Sequence, residues 1–72
     1  MDTYSFALVG PQQSELDFRI GEFPSAERAL QLAELIALDL SIESKWSGWA
    51  VEVRNFHGRQ LFAIPVRSPA AA

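Results

Sequence analysis

The stretch "SAERALQLAELIALDLSIES", Ser25 to Ser44, decides the fold. It holds no glycine and no proline, and its only β-branched residues are Ile36 and Ile42. Such a run is rich in strong helix formers. Ser25 stands where an N-cap is needed, with a hydroxyl able to accept a free backbone N–H two or three residues on. Glu27 falls in the first turn and Lys45 just past the far end, each with the charge that the helix dipole favours there. The pattern predicts a helix from Ala26 to about Ser44. At about 100° per residue, Ala29, Leu30, Leu32, Ala33, Ile36, Ala37 and Leu40 share one broad arc, opposite Glu27, Gln31, Glu34 and Ser41. That is an amphipathic helix lying on a sheet, and its alanines let it come close to a bulky inner sheet face. Leu35, Leu38 and Ile42 break the pattern, because they stand at i, i+3 and i+7 within the polar arc.

On either side of this helix the period changes from 3.6 to 2. Before it, Tyr4, Phe6 and Leu8 alternate with Thr3, Ser5 and Ala7; "GPQQS" then makes a loop. Leu16, Phe18 and Ile20 alternate with Glu15, Asp17 and Arg19, and Gly21 to Pro24 leads into the helix. After it, "KWSGW" (Lys45 to Trp49) is a turn that contains Trp46, and Trp49, Val51 and Val53 alternate with Ala50, Glu52 and Arg54. Asn55 to Gly58 turns the chain, and Phe62, Ile64 and Val66 face inward on the way back. Two hairpins thus flank one helix. Tyr4, Phe6, Phe18, Trp49 and Phe62 fall in the helix-facing register, whereas Arg19 and Leu61 are expected on the open face.

These elements predict an α+β fold of order ββαββ: a four-stranded antiparallel sheet with one amphipathic helix on one face. The strand orders 2-1-3-4 and 1-2-4-3 are both fully antiparallel. Pro65 has no N–H to give a ladder and suits an edge strand, which selects 2-1-3-4. Residues 1–67 are read as a single domain and 68–72 as a flexible tail. A chain of 72 residues has a small core, since a domain of this size buries only about 60% of its unfolded surface. There is no cysteine, hence no disulfide or thiolate ligand.

The net charge is −3. The acids gather in residues 1–43, where only Arg19 and Arg28 oppose them; residues 44–72 carry Lys45, Arg54, Arg59 and Arg67 against Glu52 alone. An acidic chain repels phosphate backbones unless its bases share a face. Glu34 and Asp39 interrupt the longest apolar stretch, so no membrane span is expected. With no basic and apolar leader after Met1, the expected location is the cytoplasm.

The stretches "YSFAL", "GEFPSAERALQLAELIALDL" and "WAVEVRNFHGRQLFAIPV" together cover most of the chain. In them the chain resembles a family of short bacterial domains of unknown function, the DUF6894-type domains common in alphaproteobacteria. The resemblance implies an architecture and no activity. The family's acidic, glycine-containing link between the first two strands is replaced here by "GPQQSELDF". The chain is also similar, more distantly, to small partner-binding antitoxins of the HicB type, which place short strands before a capped amphipathic helix.

The chemistry-bearing residues are few. His57 is the only histidine, at a hairpin tip with Arg54 and Arg59 beside it, and the nearest acid is Glu52. A metal needs three or four ligands, and a nucleophilic triad needs a buried acid behind its imidazole. Neither is spaced for here, nor is there a glycine-rich phosphate loop. No enzyme activity, catalytic residue, metal or cofactor is therefore expected. Sheet-type RNA binders stack bases on open-face aromatics, and the rings here face the helix. Weak nucleic-acid binding through Lys45, Arg54, Arg59 and Arg67 is the alternative reading. The leading expectation is a small non-enzymatic module that binds a protein partner or itself, as a weak homodimer, through Leu35, Leu38 and Ile42.

Overall fold

The computed structural model describes residues 1–67. Its elements are β1 (Asp2–Val9), β2 (Glu15–Phe23), α1 (Ala26–Leu40), β3 (Ala50–Asn55) and β4 (Gln60–Pro65). Single 3-10 turns follow β1, at Pro11–Gln13, and precede β3, at Ser44–Trp46. The sheet is antiparallel throughout, in the order β2-β1-β3-β4. Pro65 ends the edge strand β4. The Val66 N–H turns inward to the Trp49 carbonyl at 2.8 Å, so Pro65 turns its ring nitrogen outward, where no ladder bond is lost. The expected tail, 68–72, lies outside the described residues.

β1 and β3 are the central strands and supply most of the core. Phe6, Val51 and Val53 are fully enclosed. Burying each such side chain is worth about 1.5–3 kcal/mol. In register, Phe6 opposes Val53 and Leu8 opposes Val51. From the other layer come Ala29, Ala33 and Ala37, a buried stripe at i, i+4 and i+8 on α1. With only methyl groups at the contact, the helix sits close against the sheet, chiefly over β3 and β4. Rings fill the remainder: Phe23 meets Tyr4 edge-on at 6.1 Å and Phe6 at 5.6 Å. Ser25 caps the helix as expected, its Oγ accepting the Arg28 N–H at 3.3 Å.

The structure departs from the sequence reading in four places. First, α1 stops at Leu40 rather than near Ser44. The Ser41 hydroxyl donates to the Leu38 carbonyl at 2.6 Å. The N–H groups of Ile42 and Glu43 bond three residues back, to Asp39 and Leu40. These tighter bonds satisfy the carbonyls of the last turn and lead into Ser44–Trp46.

Second, β2 is longer than expected, runs to Phe23, and carries a β-bulge. Phe6 pairs with Arg19 and Ala7 with Asp17, so Phe18 is the extra residue. A bulge shifts the alternation by one. Leu16 and Phe18 keep the helix side, Ile20 is moved to the open face opposite Ser5, and Phe23 takes the inner position instead. Arg19, expected on the open face, opposes Phe6 on the helix side.

Third, a second bulge in β4 leaves Leu61 unpaired between Phe62 and Gln60. Leu61 packs against the core rather than lying on the open face.

Fourth, Trp49 precedes β3 and is half-buried, and Trp46 is its partner rather than a bystander. The two indoles meet edge-on at 5.3 Å, and both pack against the core. Trp49 also lies on Gly10, where an added Cβ would fall 2.6 Å from ring atoms Cδ2 and Cε2.

Gly10 has an ordinary φ of −119°, so the need for glycine there is steric. We expect Gly10→Ala to cost about 1–3 kcal/mol by overpacking. In a Trp49→Ala background the same change should cost far less. A double-mutant cycle from urea melts measures the difference; an equal cost in both backgrounds would contradict the contact.

Candidate interaction surface

Leu35, Leu38 and Ile42 are exposed in the folded chain, by 61%, 65% and 75%. The reason lies on the opposite side of the helix. The alanine stripe fixes which face of α1 touches the sheet, and Leu35 and Leu38 stand on the face turned away. Ser41 is still in helical conformation (φ −65°, ψ −15°), so Ile42 continues the same row. Leu38 also borders a shallow groove of about 300 Å³ between α1 and the end of β4, with Ala37, Ile64, Pro65 and Arg67.

A second apolar surface was not legible in the sequence. Leu16 and Ile20 of β2 are 52% and 75% exposed. Leu16 lies on the helix side but beyond the cover of α1, which sits over β3 and β4. Ile20 is outside because of the bulge. The alternation of residues 15–20 gives no sign of either, since a bulge is set by pairing with β1 and not by composition.

The four basic residues do not converge. Lys45 lies in the turn after α1, 3.2 Å from Glu43 and 5.4 Å above the Trp46 ring. Arg67 follows β4 at the same end of the sheet, and Arg59 is exposed at the opposite end, next to the tip. Arg54 is held on the open face by carboxylates. Its Nε and Nη2 donate to Glu52 Oε1 at 3.1 and 2.8 Å. Nη1 and Nη2 donate to the two Glu15 oxygens at 3.2 and 2.8 Å. Asp17 stands 3.7 Å away. Arg54 opposes Ser5, and Glu15 opposes Val9 on the far side of β1. The guanidinium therefore crosses β1, a path open because Ser5 and Ala7 are small. Glu15 and then Glu52, through these hydrogen bonds, hold Arg54 more firmly in its charged form.

At the tip, Asn55 organises the turn. Its Oδ1 accepts the N–H groups of His57 and Arg59, both at 2.9 Å. The Asn55 carbonyl accepts the Gly58 N–H at 2.9 Å. Gly58 has φ +82°, the left-handed position that a three-residue hairpin loop requires. His57 is exposed and lies edge-on to Phe56 at 5.7 Å. A shallow cleft of about 590 Å³ separates the tip from the start of β1, lined by Asp2, Tyr4, Phe56, His57 and Leu61 among others. Among the described residues no three or more His, Cys, Asp or Glu gather as a metal would need. No described helix is long and apolar enough to cross a membrane.

Comparison with protein-family models, with curated proteins and with solved structures gives no match.

The Arg54 cluster makes stability depend on pH. Hydrogen bonds from Arg54, and then its charge, hold the Glu15 carboxyl below its ordinary value of 4.5. The unfolded chain therefore takes up that proton more readily than the folded one. This stabilisation is complete above pH 4.5 and is lost as the pH falls through the lower folded value. We expect urea midpoints to fall more steeply on acidification in the wild type than in Arg54→Met. Parallel pH profiles would contradict the pairing.

Proposed function

We propose that this chain is a small, non-enzymatic association module that binds protein through the outer face of α1. The observation that carries the reading is the continuous exposure of Leu35, Leu38 and Ile42 on a face that no other described element covers. Side chains three and four apart on a helix touch, so the three form one patch, of roughly 300 Å². Single exposed apolar residues are ordinary, whereas a contiguous row on a regular helix is a ready contact surface. The basic residues give less support to a nucleic-acid role. Arg54 is engaged by Glu15 and Glu52, and Lys45 lies beside Glu43.

A photo-cross-linking amino acid placed at Leu38, and in a separate variant at Gln60 on the other side of the molecule, tests this in cells. The expected result is a discrete cross-linked product from position 38 and none from 60. No product from position 38, or the same products from both positions, would overturn the reading.

A further inference from the structure

The two edges of the sheet are not alike. The edge strand β4 is short, carries a bulge at Leu61 and ends at Pro65, which has no N–H to give. Such devices oppose the addition of a further strand. The other edge strand, β2, is the longest of the four, and no described strand pairs with its outer side. Leu16, Phe18 and Ile20 expose apolar surface along it. The bulge at Phe18 interrupts only its first half. From Arg19 to Phe23 its pairing with β1 is regular, so five residues in even strand geometry offer outward backbone N–H and C=O groups.

The bulged Phe18 bounds this segment on one side and Pro24 on the other, and Gly21 is its midpoint. Antiparallel pairing of two copies about Gly21 uses all five residues. Gly21 then meets Gly21, Arg19 meets Phe23, and Ile20 meets Glu22. The faces agree, since Arg19, Gly21 and Phe23 lie on the helix side and Ile20 and Glu22 on the open side. Phe18 of each copy stands opposite Pro24 of the other, so the ladder ends where a bulge meets a residue without an N–H. Centring on Ile20 or on Glu22 leaves only three residues in the ladder, and the latter sets Glu22 on Glu22. About Gly21 no acid opposes an acid. Arg19 is exposed and in no ion pair among the described residues. It comes beside the Phe23 ring of the other copy, with Asp2 next on the same face. On the open side, Ile20, 75% exposed, lies about 7–8 Å on the diagonal from its counterpart. The two Glu22 side chains stand on the other diagonal, exposed to solvent.

We propose that β2 pairs with β2 of a second copy of this chain, antiparallel about Gly21, and joins two four-stranded sheets into one. Because the faces agree, the twofold axis is normal to the sheet. Both α1 helices then lie on the same side, with their outer faces free, so the inference is independent of the association reading above. In strand addition the affinity comes from main-chain hydrogen bonds rather than from apolar area. The ladder is short, and its contact stays below the ~1,200 Å² at which standard interfaces begin. Each copy also carries a net charge of −3. The dimer is therefore weak and forms at high concentration.

Sedimentation equilibrium up to about 1 mM tests the pairing, with urea melts to show that each variant is folded. Residues 20 and 22 are exposed, so changes there leave the fold nearly untouched. The wild-type mass is expected to rise with concentration. Ile20→Glu sets a carboxylate against Glu22 of the other copy at two places and should stay monomeric. Adding Glu22→Lys to Ile20→Glu sets opposite charges at the same two places and should restore the dimer. Leu38→Lys, on the outer face of α1, should associate as the wild type does. A wild type that stays monomeric throughout would overturn the proposal. So would an Ile20→Glu chain that still dimerises, a double variant that does not, or loss of the dimer in Leu38→Lys.

Discussion

Everything in this molecule is set by the close approach of α1 to the central strands, and that approach depends on three methyl groups. Ala29, Ala33 and Ala37 are at most 5% exposed. They lie against a sheet face built from Phe6, Leu8, Val51 and Val53. A small domain can bury little surface, so the apolar contacts it makes must be dense. The stripe also fixes the rotation of the helix about its axis. With the alanines inward, Ile36 and Leu40 flank the core, and Leu35, Leu38 and Ile42 are exposed on the far side. The outer face is thus a geometric consequence of the inner one.

The two faces of the sheet follow different rules. On the helix side, large side chains from β1 and β3 meet small ones from α1. On the open side, the small residues are in the sheet. Ser5 and Ala7 of β1 leave a path over which Arg54 reaches from β3 to β2. The hydrogen bonds to Glu15 tie β3 to β2 across β1 without an apolar layer, while those to Glu52 stay within β3. Ala7 is 1% exposed although it faces away from the helix, at a register position between Glu52 and Asp17. The exposed members of such a cluster contribute little each, so its main consequence is to fix how the guanidinium is used. It is committed to carboxylates of its own chain.

The sequence carried the architecture clearly. A capped helix without glycine or proline, two alternating hairpins and a proline near the last strand's end were enough for ββαββ and for the order β2-β1-β3-β4. These features are local, and local patterns are read from one stretch at a time. The exposed row on α1 was legible for the same reason, since helical spacing alone puts Leu35, Leu38 and Ile42 on one side. The misses come from strand pairing, which no single stretch shows, and in one case from the local bonds that end the helix. The bulge at Phe18 exists because of pairing with β1, and it moves Ile20 outward and Phe23 inward. Leu61 changes face through the second bulge. The helix ends at Leu40 because the Ser41 hydroxyl and the 3-10 bonds of Ile42 and Glu43 take up the last carbonyls, in a stretch whose composition would let the helix run on. Trp46 packs against the core beside Trp49, which itself lies across Gly10 from the chain's other hairpin. In the candidate surface the row on α1 was foreseen, and the exposed apolar residues of β2 were not.

The central claim is that the alanine stripe sets the distance between helix and sheet, and with it the outer face. Ala33→Leu tests it most directly. Leucine is nearly as good a helix former as alanine and is more apolar, so any loss must come from lack of room. The account predicts a loss of about 1–3 kcal/mol in urea unfolding, against a change within about 0.5 kcal/mol for Glu34→Leu on the exposed side. An Ala33→Leu chain as stable as the wild type, or more so, would show space between the layers and would contradict the claim.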